Sequence, residues 1–99
     1  MNQIWYHGSP LCLRVLREGS TITKERRLAR VFSHKPAIVC QEDDGTIKHS
    51  GEKPGYLYQI AEQVESDDVY SHPNSAMAPG QEWLTRRPLA LELIGPTEI

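Results

Sequence analysis

Trp5-Tyr6-His7-Gly8-Ser9, near the start of the chain, sets a titratable imidazole beside a residue that has no side chain. Residues 1–5 alternate loosely, as in a first strand, and the Gly-Ser-Pro that follows His7 is typical of a turn. We therefore expect His7 where a strand runs out into a turn, with the main chain of Gly8 open to a ligand. The alternative is a strand edge that carries a polar histidine and an ordinary turn.

Length and composition limit the classes of protein that fit this chain. Its 99 residues predict one domain, residues 1–99, and 38% hydrophobic with 24% charged residues is typical of a soluble globular chain. A net charge of −2 disfavours a strongly electrostatic nucleic-acid binder. The sequence has no bilayer-length apolar run and no export pattern, which predicts a cytoplasmic protein without a membrane partner. Cys12 and Cys40 lack metal-ligand spacing and are expected to be reduced and buried.

Secondary-structure patterns predict an α+β domain with a mostly antiparallel sheet. The clearest strand is 55–61, aromatic and β-branched between chain breakers, and 89–94 alternates with its leucines on one face. Shorter strands are expected at 31–33 and 81–85, and a short helix is expected to begin near Pro36. Residues 11–16 fit a short helix or an irregular segment. Residues 41–54 are expected to form a loop or hairpin, and residues 71–80 a loop. Residues 64–70 extend or follow the strand at 55–61.

A basic cluster and three histidines have both structural and functional interpretations. Residues 24–30 concentrate positive charge, which usually marks a solvated helix or strand face, and the functional alternative is a pyrophosphate site. His34, His49 and His72 show no metal-ligand spacing, so we expect each on the surface or in a loop and no metal site. Trp5 and Trp83 are expected to anchor the core.

Three segments of the chain carry a resemblance to a known family. Tyr6-His7-Gly8-Ser9, Val31-Phe32-Ser33 and Gln81-Glu82-Trp83-Leu84 follow the order of the three motifs of ADP-ribosyltransferases of the diphtheria-toxin and poly-ADP-ribose-polymerase type. The small bacterial branch that includes the rifamycin ADP-ribosyltransferases is the most similar, and it adds Gly55-Tyr56-Leu57-Tyr58, Asp67-Asp68 and Arg87-Pro88-Leu89. The resemblance implies a compact split antiparallel β-sheet domain with one or two short helices, and NAD as co-substrate.

The resemblance implies a cofactor-binding role for six residues: Tyr6, His7, Gly8, Ser9, Phe32 and Ser33. His7 would hydrogen-bond the ribose of NAD, and the backbone of Gly8 would hold the nicotinamide carboxamide. Phe32 stands where the family has a tyrosine, so a ring remains to stack on nicotinamide but the hydroxyl is lost. Ser33, the sixth, would contact the ribose.

The catalytic acid has two candidate positions. Glu82, just before a predicted strand, resembles the catalytic glutamate of the polymerase-type enzymes and is favoured, together with His7, as catalytic. The rifamycin branch uses an upstream aspartate, which would fall at Asp67 or Asp68. A carboxylate in either place would stabilise the positive charge that develops on the ribose when nicotinamide leaves.

Two other functions and the identity of the acceptor stay open. The same fold could bind NAD or ADP-ribose, or a protein partner, without catalysis, and Phe32 in place of tyrosine favours this alternative. A third possibility is an NAD-dependent RNA 2′-phosphotransferase, whose phosphate grip would come from Arg26, Arg27, Arg86 and Arg87. The acceptor could be a protein side chain, a nucleic acid, a small antibiotic or water, and a toxin would also have a cognate inhibitor protein.

Overall fold

A computed structural model describes residues 3–36, 39–44, 46–73, 77 and 80–98. Within them the strands pair antiparallel and one α-helix forms, which confirms the α+β class. None of the helices among the described residues has the length and apolar character needed to cross a bilayer. In chain order the elements are β1 (Tyr6–Ser9), β2 (Val15–Leu16), β3 (Thr21–Ile22), α1 (Arg26–Phe32), β4 (Val39–Gln41), β5 (Ile47–His49), β6 (Gly55–Ile60), a 3-10 turn (Ser66–Asp68), β7 (Val69–Ser71), β8 (Trp83–Thr85) and β9 (Leu89–Thr97).

Two sheets meet at the start of β1. The larger sheet has the order β1-β6-β9-β2, the smaller has the order β3-β8-β7, and β4 and β5 form a separate hairpin. The sheets are joined by a bridge in which the amides of Tyr6 and Thr23 each donate to the other residue's carbonyl, at 2.7 and 3.0 Å. After this bridge β1 continues along β6 only, so the two sheets diverge on the side where His7 lies.

The core lies under this junction and draws on both sheets. Trp5 is 7% exposed and belongs to the core, as expected, whereas Trp83 is partly buried and packs against the core, with the two rings edge to face at 5.8 Å. Tyr58 is fully buried, and its hydroxyl donates to Leu11 O and accepts from Leu13 N. This pair of bonds ties residues 11–13 to the larger sheet. The buried cluster consists of Trp5, Leu16, Ile22, Ile60, Val69 and Leu89.

The helix α1 corrects the strand predicted at 31–33. Glu25 caps its start by accepting from Arg27 N, and Ser33 ends it by donating its amide back into the last turn. Leu28, Ala29 and Val31 are buried against the larger sheet. The basic residues of 24–30 are exposed, with Arg26, Arg27 and Arg30 on α1 and Lys24 before its start.

Other predictions are confirmed or corrected strand by strand. The strands predicted at 55–61, 81–85 and 89–94 are confirmed as β6, β8 and β9. The stretch 41–54 contains the hairpin strand β5, and the stretch 64–70 contains the 3-10 turn and the start of β7. The first strand begins at Tyr6 instead of within 1–5, and Gly8 and Ser9 pair with Leu57 and Tyr56 instead of breaking it. Within residues 11–16 the strand β2 covers Val15–Leu16, and the residues before it are irregular. The helix expected from Pro36 is wrong at 39–41, which is β4, and residues 37–38 lie outside the described residues.

Two predictions of burial are wrong in opposite directions. Cys12 and Cys40 are free, as expected, but exposed. His34 is 3% exposed instead of lying on the surface. Its ring stacks on His49 at 5.5 Å and its Nδ1 donates to Lys53 O at 2.7 Å, so its polar group is satisfied inside the protein.

Candidate functional site

An open cleft of about 810 Å³ lies where β1 diverges from the smaller sheet. Five of the residues predicted for the site line it, although they come from three segments that are far apart in the sequence. The predicted residues in its wall are His7, Gly8, Ser9, Phe32 and Glu82. The rest of the wall is formed by Pro10, Leu11, Gly19, Ser20, Thr21, Lys35, Lys53 and Pro54.

His7 lies on β1 and is held in one tautomer. Its Nδ1 is 2.7 Å from Thr21 O, and because a carbonyl can only accept, Nδ1 carries the proton. Partial burial lowers the pKa of His7 below its ordinary value, against the smaller opposing effect of the hydrogen bond to Thr21. The ring is therefore neutral at pH 7, and its Nε2 presents a lone pair that can accept a hydrogen bond from a hydroxyl.

Gly8 is required by packing of the helix against β1. A Cβ at this position would lie 1.8 Å from Ala29 O and 2.7 Å from Ser33 N, both main-chain atoms. The next residue, Ser9, is buried, and its hydroxyl accepts from Leu11 N at 3.0 Å. Together these contacts fix the wall of the cleft beside His7.

Phe32 enters the cleft wall from the last turn of α1, and its ring is half-buried. The two neighbouring candidates, Ser33 and Tyr6, do not line the cleft. Ser33 is fully buried, with its hydroxyl donating to Arg30 O and lying 2.6 Å from Thr97 Oγ1. Tyr6 forms the sheet bridge and its ring lies 6.0 Å from the Arg26 guanidinium. Both residues hold the site's framework in place.

Glu82 reaches the cleft from the residue just before β8. Its carbonyl accepts from His72 N at 3.1 Å, and the indole of the next residue, Trp83, donates to Gly80 O at 3.1 Å. Gly80 has a φ of 85°, which a residue without a side chain adopts readily. The turn before β8 is thus fixed by main-chain and indole contacts, and it sets a carboxylate across the cleft from β1.

The other two acidic candidates lie away from this cleft. Asp68 accepts from Arg87 through both carboxylate oxygens, at 2.9 and 3.2 Å, and from Glu65 N at 2.8 Å. The Arg87 guanidinium holds the pKa of Asp68 below its ordinary value. Asp67 is exposed in the 3-10 turn. Neither aspartate lines the cleft that contains His7 and Phe32.

Sequence reasoning missed the cations of the cleft, Lys35 and Lys53. It considered a pyrophosphate site in the basic cluster of residues 24–30, none of which lines this cleft. Lys35 and Lys53 are 18 positions apart and stand in no motif. Of these two lysines, only Lys35 lies close in sequence to a predicted site residue, three positions after Phe32, and this proximity indicates the cleft weakly.

A second cleft, of about 660 Å³, contains none of the predicted site residues. Its floor is apolar, with Trp5 and Trp83, and the Lys24 ammonium lies 4.9 and 5.3 Å from the centres of their rings. Among the described residues, no group of three or more histidine, cysteine, aspartate or glutamate side chains is arranged to hold a metal ion.

The first cleft therefore combines a neutral imidazole, an aromatic ring and a carboxylate with two cations. Such a set can hold a planar group and a sugar and can stabilise a developing positive charge. Comparison with protein-family models, with curated proteins and with solved structures finds no match for this chain. The functional argument accordingly starts from the geometry of the cleft.

Proposed function

We propose that this protein is an NAD-dependent ADP-ribosyltransferase whose active site is the cleft at β1. The observation that carries the proposal is the convergence of His7, Phe32 and Glu82 on one cleft from three distant segments. These are the positions at which the sequence resembles the three motifs of the diphtheria-toxin and poly-ADP-ribose-polymerase type. Two antiparallel sheets that diverge beside the site give further support, because a split sheet is what that resemblance implies.

Each of the three side chains has a distinct part in the proposed reaction. Nε2 of His7 accepts a hydrogen bond from a ribose hydroxyl and so positions the sugar. Phe32 stacks on the nicotinamide ring. The Glu82 carboxylate hydrogen-bonds the ribose and stabilises the oxocarbenium-like charge as the bond between the ribose C1′ and nicotinamide breaks. Nicotinamide leaves with the electron pair of that bond.

The acceptor then completes the reaction. Its oxygen or nitrogen forms the new bond to C1′, and Glu82 takes the proton that the nucleophile loses. Glu82 is preferred over Asp68 for this part because Glu82 lines the cleft that contains His7 and Phe32, whereas Asp68 does not. The acceptor would approach the cleft from solvent, since the cleft is open.

The test is nicotinamide release from NAD by the purified protein. Glu82→Gln keeps the shape of the side chain but removes its charge, and we expect release to fall by about 100-fold or more with NAD affinity nearly unchanged. His7→Ala should weaken both NAD binding and turnover. Glu92→Gln is the matched control, because Glu92 is an exposed carboxylate on β9 outside this cleft. Full release by Glu82→Gln would overturn the assignment, and loss in Asp67→Asn alone would move the catalytic acid there.

A non-catalytic NAD-binding or ADP-ribose-binding module is the second candidate. The observation that favours it is Phe32, which gives the cleft a ring without the hydroxyl that the resembled family has. Such a module would be stabilised by NAD against heat but would release no nicotinamide, with Phe32→Tyr no more active than the parent protein. Release by the parent protein would exclude this candidate.

A further inference from the structure

Lys35 and Lys53 bring two positive charges to the wall of the cleft. Both residues are exposed, and among the described residues the structure gives neither lysine an ion pair. The ion pairs found among the described residues involve Arg27, Lys48 and Arg87. These two ammonium groups are thus available in a chain whose net charge is −2.

A side-chain hydrogen bond joins the segments that carry the two lysines. Lys35 follows the end of α1, where its amide donates to Phe32 O at 3.0 Å and its φ is 51°. Its neighbour His34 is buried and donates from Nδ1 to Lys53 O at 2.7 Å. A non-glycine residue in the left-handed region is uncommon, so the surrounding contacts must hold Lys35 there.

A glycine lets the second lysine segment come this close. A Cβ on Gly51 would lie 2.6 Å from the His34 Cβ and 2.9 Å from the His49 Nδ1. The Gly51 amide donates to that same His49 nitrogen at 3.1 Å. His34, His49 and Gly51 thus form a fixed support beneath the pair of lysines.

We propose that Lys35 and Lys53 form a subsite for the diphosphate of a dinucleotide, a proposal that rests on the proposed function for its ligand. A diphosphate carries adjacent negative charges, which two ammonium groups held on neighbouring segments can bind at the same time. Phe32, three residues before Lys35, would contact the nicotinamide end of the same ligand. The carbonyl end of α1 carries partial negative charge, so an anion beside it requires cationic side chains.

The proposed subsite predicts which nucleotides the protein binds most tightly. Affinity should depend on the diphosphate, so ADP should bind more tightly than AMP and AMP more tightly than adenosine. NAD should likewise be used in preference to nicotinamide mononucleotide, which has one phosphate. The lysines should affect binding more than chemistry, because the diphosphate does not change during cleavage of the nicotinamide bond.

The experiment measures dissociation constants for ADP, AMP and adenosine by titration calorimetry, with the parent protein and with Lys35→Ala and Lys53→Ala. Each variant should bind ADP about 10-fold more weakly, as expected for loss of a hydrogen bond to a charged group, and should bind adenosine as before. Lys48→Ala is the matched control, because Lys48 is paired with Glu42 outside the cleft and its loss changes the net charge equally. It should bind ADP like the parent.

Nicotinamide release in the same proteins separates this proposal from the proposed function. An increase in KM for NAD with kcat unchanged, in both cleft variants but not in Lys48→Ala, supports both proposals. ADP affinity equal to that of the parent in both cleft variants, or no ADP binding by the parent, overturns the subsite, and release by the parent then still supports the enzyme. ADP binding that needs the lysines in a protein that releases no nicotinamide supports the subsite and counts against the enzyme.

Discussion

Replacing Gly8 by alanine tests the packing that forms the wall of the cleft. The new methyl group would lie 1.8 Å from Ala29 O, and such contacts require 3.0 Å or more, so α1 would have to retreat by more than 1 Å. The Ser33 amide, 2.7 Å away, is also main chain, so no rotamer change can relieve the clash. Overpacking commonly costs about 1–3 kcal/mol, and this backbone clash should cost about 3 kcal/mol.

Thermal unfolding followed by circular dichroism measures the effect. For a domain of this size about 3 kcal/mol corresponds to a Tm lower by roughly 12–24 °C. Gly95→Ala is the matched control, since Gly95 also lies in a strand but an added Cβ would meet nothing within 4 Å. Its effect on the free energy of unfolding should stay within about 1 kcal/mol. A Gly8→Ala protein as stable as Gly95→Ala would refute the close approach of α1 to β1.

Three further predictions concern a buried hydroxyl, the His7 imidazole and an ion pair. Ser33→Ala should lower the free energy of unfolding in a urea titration by about 1–3 kcal/mol, because the Thr97 hydroxyl loses its partner, and NAD affinity should not change. Because the pKa of His7 is lowered, the midpoint of the acid decline in nicotinamide release should lie below the ordinary histidine pKa of about 6.5, and a midpoint above that value would contradict this. Because the pKa of Asp68 is lowered, its ion pair with Arg87 stabilises the protein fully above the ordinary carboxyl pKa, and this stabilisation is lost as the pH falls through the lowered pKa of Asp68. The Tm of Arg87→Met, which lacks the ion pair, should therefore fall less steeply in acid than the Tm of the parent.

The strands β6 and β9 were predictable because they carry local signals, whereas β3 and β4 were not predicted. Residues 55–61 are aromatic and β-branched between chain breakers, and the observed strand is Gly55–Ile60. The leucine alternation at 89–94 likewise predicted the last strand, which continues to Thr97. Strand order could not be obtained this way, since pairing of β1 with β6 and of β3 with β8 depends on contacts between segments that are far apart.

The helix was missed because its last residues were considered apart from the first ones. Val31-Phe32-Ser33 has strand propensity as a triplet, but residues 26–30 are good helix formers, and Leu28 and Val31 stand at helical spacing. Burial of Leu28, Ala29 and Val31 against the larger sheet then favours the helix. The correction changes how Phe32 reaches the site, from a helix end instead of a strand, but leaves it in the cleft wall.

Charged residues of the site and of its surroundings were the hardest to assign from sequence. Asp68 in its acidic stretch gives no local sign that Arg87, 19 positions later, will pair with it. The segments that carry Lys35 and Lys53 are joined by the hydrogen bond from the buried His34 to Lys53 O. Side chains whose roles depend on distant partners carry no periodicity, so sequence patterns cannot find them.

The His7 side and the Glu82 side of the cleft are held by different kinds of contact. In the proposed reaction we therefore expect NAD binding and turnover to respond differently to changes on the Glu82 side. His7 lies in a strand that is paired along its length with β6 and covered by α1, so the ribose-binding side is fixed by the fold itself. Glu82 lies just before β8, where the hydrogen bond from His72 N to its carbonyl and the indole bond from Trp83 to Gly80 O support it. Binding of NAD should therefore tolerate changes in the turn before β8, while turnover, which needs the carboxylate within hydrogen-bond reach of the ribose, should not. Changes that loosen the turn should thus lower kcat and leave the affinity for NAD nearly unchanged.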